Sequence, residues 1–334
     1  MAMRPTPSDV HVDAALTDVS VAFLQAQSNF VFPRVFPRVQ VSKQSDKYFV
    51  YDRGSFNRDE AAVRGPGTEA ALADYSLSTA TYFADVLALK QRVPYQTIAN
   101  ADAAIDPEAA AAEVLMNKML IKQERDFAST YMTTSVWGTD VTGDSSGSVG
   151  SGETTYWSDY TNSDPIQDVE EGIDTILGAT GMKPNKLVLG REVYAQLRNH
   201  PDVIDRIKAS GGVGPNSPAV IMLAAMAQIF DLDEVLVSNA VYNSAIEGAS
   251  ESSSFVVGKN ALLVHSPDAP GLMVPAAGYV FSWNQYTGVT NPMGVATSRY
   301  DRPELKSVEV EAEMAYDMKL VSQDLGYFFS GIVA

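Results

Sequence analysis

The sequence predicts an α+β fold, and two long regular elements and the region between them support this prediction. The stretch from Asp106 to Met132 has no interrupting Gly or internal Pro, and Asp106 followed by Pro107 is typical of a helix N-terminus. At 1.5 Å per residue this predicts a helix about 40 Å long. From Val308 to Leu320 apolar residues occupy every even position and mostly charged residues the odd ones, which predicts a strand with one dry and one acidic face. Helical and strand patterns alternate between these two elements.

Residues 1–45 are expected to form an N-terminal arm, with a short helix near Asp18 to Gln25. The tetrapeptide Phe-Pro-Arg-Val occurs twice in succession from Phe32 to Val39. Proline at every fourth position argues against a helix there and removes backbone donors. We therefore expect an extended segment that lies on its own subunit or on another one, and a poorly ordered terminus is the alternative.

Two strands separated by a long polar tip predict a projecting β arm. The first strand runs from Tyr48 to Tyr51 and the second from Tyr75 to about Val93, with period-two alternation in its first half. The tip between them exceeds the ~12 to 15 residues usual for a loop without structure of its own. Such a tip commonly binds another molecule or stays mobile.

The predicted long helix has one mainly apolar stripe, formed by Ala109, Ala112, Met116, Met119, Phe127 and Tyr131. We expect this stripe to pack on protein and to cover the long strand. The Gly/Ser/Asp-rich stretch Thr139 to Gly152 is predicted to be a loop and the best internal boundary.

A mixed set of elements is predicted after this loop. A helix begins at Asp164 and Pro165, is stopped by Gly178 and Gly181, and has Ile166, Val169, Ile173, Ile176 and Leu177 on one face. The other predicted helices are 191–198, one beginning at His200 and Pro201, and 218–230. The predicted strands are 186–189, 234–238, 255–257, 261–265 and 279–283.

Composition and charge exclude several classes of protein. The 24 basic and 41 acidic residues give a net charge of −17, which repels nucleic acid phosphates. Arg34 to Arg64 is nevertheless basic, while Thr133 to Met182 has nine acids and no Lys or Arg, so one region could attract the other in a second copy. There are no cysteines, no apolar run long enough to span a bilayer and no signal-peptide pattern, so we expect a soluble cytosolic protein.

Motifs for catalysis or cofactor binding are weak. Gly143 to Gly147 matches G-x-S-x-G around Ser145, but glycines and serines on both sides favour a flexible loop. Gly65 to Ala70 matches G-x-G-x-x-A without a preceding apolar strand, which favours a turn. His11, His200 and His265 lack metal-binding spacing. We expect no catalytic residues, no metal and no cofactor, and therefore not an enzyme.

The order of these parts resembles the major capsid protein of tailed bacteriophages, which has the HK97-like fold. Four stretches also resemble members of that family: KQSDKYFVYDRG, RGPGTEA, KLVLGREVYAQLRNHPDV and DLGYFF. The resemblance implies an N-terminal arm at 1–45, an extended β-hairpin loop at 46–93 that overlaps a neighbour, a peripheral domain at 94–163 and 284–334 with a spine helix at 106–132, and an axial domain at 164–283.

The function that the resemblance implies is structural. Copies would form pentamers and hexamers and close an icosahedral shell in the host cytoplasm, enclosing double-stranded DNA without sequence-specific binding and without a membrane. Portal, scaffolding and decoration proteins are partners that it leaves open. Some relatives crosslink a lysine of the extended loop, but Tyr48 to Leu89 contains no lysine, so we expect a noncovalent shell. The alternatives are an encapsulin-type cellular nanocompartment and, remotely, a serine hydrolase using Ser145.

Six charged residues are candidates for contacts between subunits. Glu309, Glu311 and Glu313 place like charges two residues apart on one strand face, which is unfavourable unless cations approach. Arg53, Arg58 and Arg64 of the β arm could supply these cations from a neighbouring copy. A solvated acidic strand face is the alternative.

Overall fold

Two β-sheets and one long helix organise the structure, a computed structural model that describes residues 24–51, 54, 57–101, 106–145, 150–209, 223–271, 273–287 and 294–334. The helices are α1 (Phe32–Val35), α2 (Tyr95–Ala99), α3 (Pro107–Tyr131), α4 (Pro165–Thr180), α5 (Arg191–Leu197), α6 (Pro201–Ala209), α7 (Leu223–Ile229) and α8 (Asn284–Thr287). Short 3-10 helices occur at Gln27–Asn29, Pro303–Leu305 and Gln323–Leu325.

The strands form two large sheets and two small hairpins. They are β1 (Arg38–Val41), β2 (Ser45–Tyr51), β3 (Leu77–Phe83), β4 (Asp85–Pro94), β5 (Thr139–Asp144), β6 (Glu153–Thr155), β7 (Lys186–Gly190), β8 (Glu234–Ser238), β9 (Val241–Asn243), β10 (Ser253–Phe255), β11 (Ala261–Val264), β12 (Gly278–Trp283), β13 (Val295–Arg302), β14 (Ser307–Leu320) and β15 (Gly326–Ser330). The five-stranded sheet has the order β1-β12-β14-β13 with β4 also paired to β14, and the six-stranded sheet has the order β6-β5-β15-β11-β7-β8. The hairpins are β2–β3 and β9–β10.

The predicted long helix is confirmed as α3, which we call the spine helix. An Asp106 carboxylate oxygen accepts hydrogen bonds from the backbone N–H groups of Glu108 and Ala109 at 2.9 and 3.2 Å, so the predicted cap is present. The predicted stripe is only partly right. Ala109 is exposed, and the buried row advances in steps of four: Ala111, Leu115, Met119, Gln123, Phe127 and Tyr131. Apolar residue type alone could not locate this row, because it includes a polar residue.

The spine helix packs on β14, as expected from the length of that strand. The Tyr316 hydroxyl donates to Asp126 Oδ2 at 2.6 Å, and Gln123 Nε2 lies 3.3 Å from Met314 Sδ. Along its length β14 pairs antiparallel with β4, β13 and β12. The acidic face of β14 is therefore turned away from the helix.

The expectation that no helix forms in the repeated Phe-Pro-Arg-Val segment is wrong. Phe32–Val35 is a one-turn helix in which Pro33 occupies the first turn, where its missing N–H costs nothing. The segment lies on its own subunit, because Val31, Phe32, Val35 and Phe36 are buried. The helix predicted near Asp18 to Gln25 falls almost entirely outside the described residues.

The predicted second strand of the β arm is two strands that belong to different sheets. β3 pairs with β2, whereas β4 pairs with β14, and the pairing partner changes at Ala84 between them. Ala84 is fully buried, and its N–H donates to the Gln44 carbonyl at 2.8 Å. Alternation in sequence predicted the extended conformation correctly but could not show this change of partner.

The prediction of a loop at Thr139 to Gly152 is wrong for its first part. Thr139–Asp144 is β5, which pairs in parallel with β15 and β6 inside the six-stranded sheet. A Cβ at Gly143 would lie 2.4 Å from the Gly331 carbonyl oxygen, so this glycine permits close backbone approach instead of flexibility. Residues 146–149 lie outside the described part.

The inserted region largely follows the predicted order. Asp164 caps α4, and Gly181 ends it with φ 73°, although Leu177 of the predicted buried face is exposed. The strand expected at 255–257 is found at Ser253–Phe255, and β1, β6, β9, β13 and β15 were not predicted. The two sheets do not follow the order of the sequence. β12, near the end of the inserted region, belongs to the five-stranded sheet, whereas β15, near the C-terminus, belongs to the six-stranded sheet. The predicted domain boundaries stay a prediction.

Candidate subunit-contact surfaces

The β2–β3 hairpin has one face held by its own subunit. The Tyr82 ring stacks on Phe281 of β12 with centroids 4.5 Å apart, and Tyr48 lies 5.1 Å from the same ring. The Tyr82 hydroxyl donates to the Lys43 carbonyl at 3.3 Å, and the Phe83 N–H donates to Asp317 Oδ2 at 2.8 Å. These contacts fix the base of the hairpin against the five-stranded sheet.

The other face of the hairpin is exposed and carries four large apolar side chains, which we call the outer strip. It consists of Phe49, Tyr75, Leu77 and Phe83, with relative exposures of 56, 55, 48 and 53%. The alternation in the second predicted strand includes Tyr75, Leu77 and Phe83 of this set, but it does not include Phe49. The ring that faces inward belongs to Tyr82, one of the alternate residues. Exposed aromatic and aliphatic side chains grouped on one face are typical of a protein–protein contact.

The hairpin tip carries two described candidate arginines. Arg58 forms an exposed ion pair with Glu60 at 3.3 Å, and Arg64 Nε donates to the Thr68 carbonyl at 2.5 Å. Gly65 to Thr68 forms a turn, as expected for the G-x-G-x-x-A match. Arg53, the third candidate, lies outside the described residues. The tip also exposes Val63 and Leu72 almost fully.

The acidic face of β14 is divided into two parts. Glu309 is only 2% exposed and binds three cations of its own chain. Arg92 Nη2 donates to it at 2.6 Å, Lys90 Nζ at 3.1 Å and Arg302 Nε at 3.3 Å. Hydrogen bonds from Arg92 and then Lys90 lower the pKa of Glu309 to about 2. Sequence reasoning missed these partners because they become neighbours only through strand register.

The second part of this face is the acid pair, Glu311 and Glu313. Both side chains are half-buried, and within the described ranges no ion pair to a lysine or arginine involves either one. Lys90 stands directly across from Glu311 in the ladder, but its ammonium group binds Glu309. Burial, then the hydrogen bond and charge of Glu311, raises the pKa of Glu313. The acid pair therefore has unbalanced negative charge.

An apolar groove of about 830 Å³ continues the exposed surface from the hairpin onto the body of the subunit. Its lining includes Tyr48 and Val50 on the hairpin and Met182, Met273 and Val274 opposite them. Met273 and Val274 are both exposed. The hairpin and this edge of the body thus form one continuous apolar region.

The residues singled out for hydrolysis are not brought together. Ser145 lies at an exposed bend after β5, and its N–H donates to its neighbour Asp144. His265 Nδ1 contacts the Lys183 carbonyl at 2.7 Å, and His200 is buried against Ser163. The G-x-S-x-G match therefore has no histidine partner for Ser145 among the described side chains.

Ser163, His200 and Asp202 superficially have the order of a catalytic triad, which the sequence reasoning did not consider. Ser163 Oγ lies 3.0 Å from His200 Nε2, and the Asp202 carboxylate lies 3.5 Å from His200 Nδ1. However, Ser163 Oγ donates to the Asp159 carbonyl, and the Asp202 N–H donates to His200 Nδ1. The proton is therefore on Nε2, so His200 donates to the serine and cannot act as its base.

The described ranges contain neither a metal-binding cluster nor a membrane-spanning helix. No group of three His, Cys, Asp or Glu side chains there has a geometry that could hold a metal ion. None of the helices in that part is long and apolar enough to cross a membrane.

Comparisons with known proteins agree on one family. The model of the family described as phage major capsid protein E matches residues 140–315, just over half of the chain. A major capsid protein of Pseudomonas phage JBD67 is 25% identical over 76% of this chain and 77% of its own length. A major capsid protein of Burkholderia phage BcepMu is 23% identical over 96% of each chain.

Solved structures show the same fold at low sequence identity. A phage-related protein from Bordetella bronchiseptica RB50 aligns with a TM-score of 0.67 and 21% identity over 92% of this chain and 93% of that one. A capsid structure of Cyanophage P-SCSP1u aligns with a TM-score of 0.58 and 11% identity, over 97 and 93%. An encapsulin complex from Synechococcus elongatus PCC 7942 aligns with a TM-score of 0.54 and 12% identity, over 96 and 95%. The predicted HK97-like α+β fold is confirmed.

Proposed function

Because the chain belongs to the phage major capsid protein E family, we propose that its copies hold a phage shell together through the exposed hairpin of one subunit and the acid pair of the next. The chain is a major capsid protein, its role is structural, and its place is the virion capsid. The finer parts of this proposal are the contact residues, the shell geometry and the partners.

The outer strip is the observation that carries the proposed contact. Four large apolar side chains, each about half exposed, stand on a hairpin whose opposite face is fixed to its own subunit. A surface that is complementary to a different surface of an identical molecule gives head-to-tail contacts, which close into rings. The hairpin and the acid pair are two such different surfaces.

Charge favours the acid pair as the receiving surface. Arg58 and Arg64 are exposed at the hairpin tip, and Glu311 and Glu313 have no described cation of their own chain. Each exposed ion pair is worth only ~0 to 1 kcal/mol, but a shell repeats the contact in every subunit. Glu309 is less suited to this contact, because Lys90, Arg92 and Arg302 already bind it.

The proposed assembly is an icosahedral shell of hexamers and pentamers, formed in the host cytoplasm and enclosing double-stranded DNA without sequence-specific binding. The net charge of −17 supports enclosure without strong attachment to the genome. Portal, scaffolding and decoration proteins are the further partners of such a shell. We also propose that the subunit has no catalytic activity, and a wild type that hydrolyses acyl esters while Ser145→Ala does not would contradict this.

An encapsulin-type shell is the second candidate, because an encapsulin is among the structural neighbours. The two candidates differ in what the particle contains. Purified particles should protect phage DNA from nuclease, and neighbouring genes for a terminase and a portal protein should be present. Particles that enclose an enzyme and no DNA would favour the encapsulin.

A charge exchange tests the proposed contact. Arg64→Glu should reduce the yield of closed particles, measured by sedimentation and negative-stain microscopy, while the subunit keeps its melting temperature. Glu313→Lys alone should also reduce assembly, and the double variant should recover particles. Lys208→Glu, a change of equal charge at an exposed lysine of α6, is the control.

Two results would count against this contact. Normal particles from Arg64→Glu would exclude Arg64 from the interface. Failure of the double variant, with both single variants folded and defective, would show that the two residues do not face each other, without affecting the assignment of the chain to the capsid family.

A further inference from the structure

Glu124 places a buried carboxylate at the middle of the spine helix, where three elements meet. Its side chain is completely buried. Oε2 accepts from the N–H groups of Val31 and Phe32 at 3.1 and 3.0 Å, and Oε1 accepts from the Ser238 hydroxyl at 2.7 Å. One carboxylate thus joins the N-terminal segment, the spine helix and β8.

The N-terminal segment depends on this contact for its local structure. We call residues Phe30–Phe36 the strap. The cap position of α1 is Val31, which has no side-chain oxygen, and a one-turn helix is not stable by itself. Glu124 supplies the missing acceptor at one end. At the other end Lys186 Nζ, also buried, donates to the Arg34 carbonyl at 3.0 Å.

Seating of the strap also completes the core. The Phe36 ring lies 4.6 Å from Tyr131 of the spine helix, and the Phe32 ring lies 6.1 Å from Phe127 and 6.2 Å from Tyr316. Beyond the strap, β1 pairs with β12 of the five-stranded sheet. Release of the strap would therefore expose aromatic side chains on the spine helix and loosen the edge of that sheet.

The groups around Glu124 can hold it in either protonation state. All its hydrogen-bond partners donate, which suits an ionised carboxylate. If the carboxyl gains a proton, the two backbone N–H groups still need an oxygen, but the Ser238 hydroxyl can rotate and accept. A proton on Oε1 directed at Ser238 then leaves Oε2 free to accept from Val31 and Phe32.

Burial disfavours the charged form. Desolvation raises the pKa of Glu124 above its ordinary value of 4.5, against the opposing effect of the hydrogen bonds from Phe32, Ser238 and Val31.

The neighbouring charged groups are engaged elsewhere. On the strap and β8, Arg34 pairs with Glu234. On β7, Lys186 binds the strap carbonyl and Asp268. On the spine helix, Lys122 pairs with Asp126, and Arg125 lies over the Tyr242 ring.

We propose that the strap is held by a proton-binding seat, in which Glu124 takes up a proton as the strap docks and passes it into a hydrogen bond with Ser238. The seated state then binds more protons than the released state. It gains stability as the pH falls through the raised pKa of Glu124, and the gain is complete below 4.5. Acidification toward pH 4.5 therefore tightens the strap, and a pH above the raised pKa loosens it.

Hydrogen–deuterium exchange of peptides covering residues 30–36 tests this, on the purified full-length protein and with correction for the intrinsic pH dependence of exchange. In the wild type, protection should increase as the pH is lowered through the raised pKa of Glu124 toward 4.5. Glu124→Gln imitates the protonated acid, since its oxygen can accept from the strap and its amide can donate to Ser238. This variant should show the acid-side protection at every pH.

Two further variants complete the test. Glu124→Leu leaves the strap N–H groups without an acceptor and should speed their exchange at least about tenfold. Glu113→Gln, at an exposed carboxylate of the same helix, is the control and should leave the wild-type pH profile unchanged.

The opposite results would overturn the proposal. If Glu124→Gln opened the strap and wild-type protection fell on acidification, the negative charge and not the proton would hold the strap. A pH profile retained in Glu124→Gln would place the titrating group elsewhere. The wild type and Glu124→Gln decide these points even if Glu124→Leu fails to fold.

Discussion

The Glu309 carboxylate shows how a single residue can join several strands. It lies on β14 and binds Lys90 and Arg92 from β4 and Arg302 from β13. Three cations around one shielded carboxylate make a network, which is stronger evidence for stabilisation than an isolated surface pair. Its neighbours Glu311 and Glu313 stand on the same face without such partners among the described residues, so equivalent positions in sequence have different surroundings.

Glu309→Gln should lower the melting temperature at neutral pH, because the cations lose their shared anion. The folded pKa of Glu309 is about 2, below the ordinary 4.5, so its stabilisation is present above pH 4.5 and is lost as the pH falls toward 2. The difference between variant and wild type should therefore shrink over this range in thermal melts. Glu311→Gln is the control and should not destabilise the subunit, since it relieves repulsion with Glu313. An unchanged melting temperature for Glu309→Gln would show that the cation network contributes nothing.

At the scale of an element, the spine helix owes its start to local chemistry and its orientation to tertiary packing. Asp106 and Pro107 determine where the helix begins. Its buried residues, in contrast, include Gln123 and Glu124, whose partners come from β14, the strap and β8. Local chemistry likewise determines both ends of α4, which begins at the cap Asp164 and ends at Gly181.

Asp106→Ala should reduce the free energy of unfolding by about 1 kcal/mol, the usual effect of removing a cap that satisfies two helix N–H groups. Urea denaturation of the unassembled subunit would measure it. Glu113→Ala, at an exposed position inside the same helix, should change stability by no more than a few tenths of a kcal/mol. Equal effects of the two variants would mean that the cap has no special role.

At the scale of the whole molecule, the hairpin has two faces with separate roles. Tyr48 and Tyr82 pack against Phe281 of the same chain, whereas Phe49 and Leu77 of the outer strip project from the subunit. A hairpin of two strands is marginal by itself, so its inner contacts are needed to fix its direction. Its outer face is then free to pack on a second copy.

Phe49→Ser and Leu77→Ser should leave the melting temperature of the subunit nearly unchanged and strongly reduce particle formation, because the lost apolar contact lies between subunits. Tyr82→Ala, in contrast, should lower the melting temperature of the subunit, since the Tyr82 ring is buried against Phe281. Differential scanning calorimetry and sedimentation would separate the two effects. Destabilised subunits from the serine variants would show that the strip has an intramolecular role.

The candidate contact surface could be predicted from sequence only in part. Alternation marked both the exposed residues of the hairpin and the acidic positions of β14, because period two follows from the geometry of any strand. It could not show that Glu309 binds cations while the acid pair has none in the part of the chain that the structure describes. That difference depends on which residues of β4 and β13 stand opposite each position.

The sequence by itself determined the long helix with its cap, the long alternating strand, the hairpin and the order of parts that resembles a phage capsid protein. These features depend on neighbours within a few residues, where propensity, capping and periodicity act. Tertiary structure alone decided the turn of helix in the strap, the break at Ala84 and the strand at Thr139–Asp144. Each depends on a partner distant in sequence: Glu124 caps the strap, Gln44 binds Ala84, and the backbone at Gly331 requires a glycine at position 143.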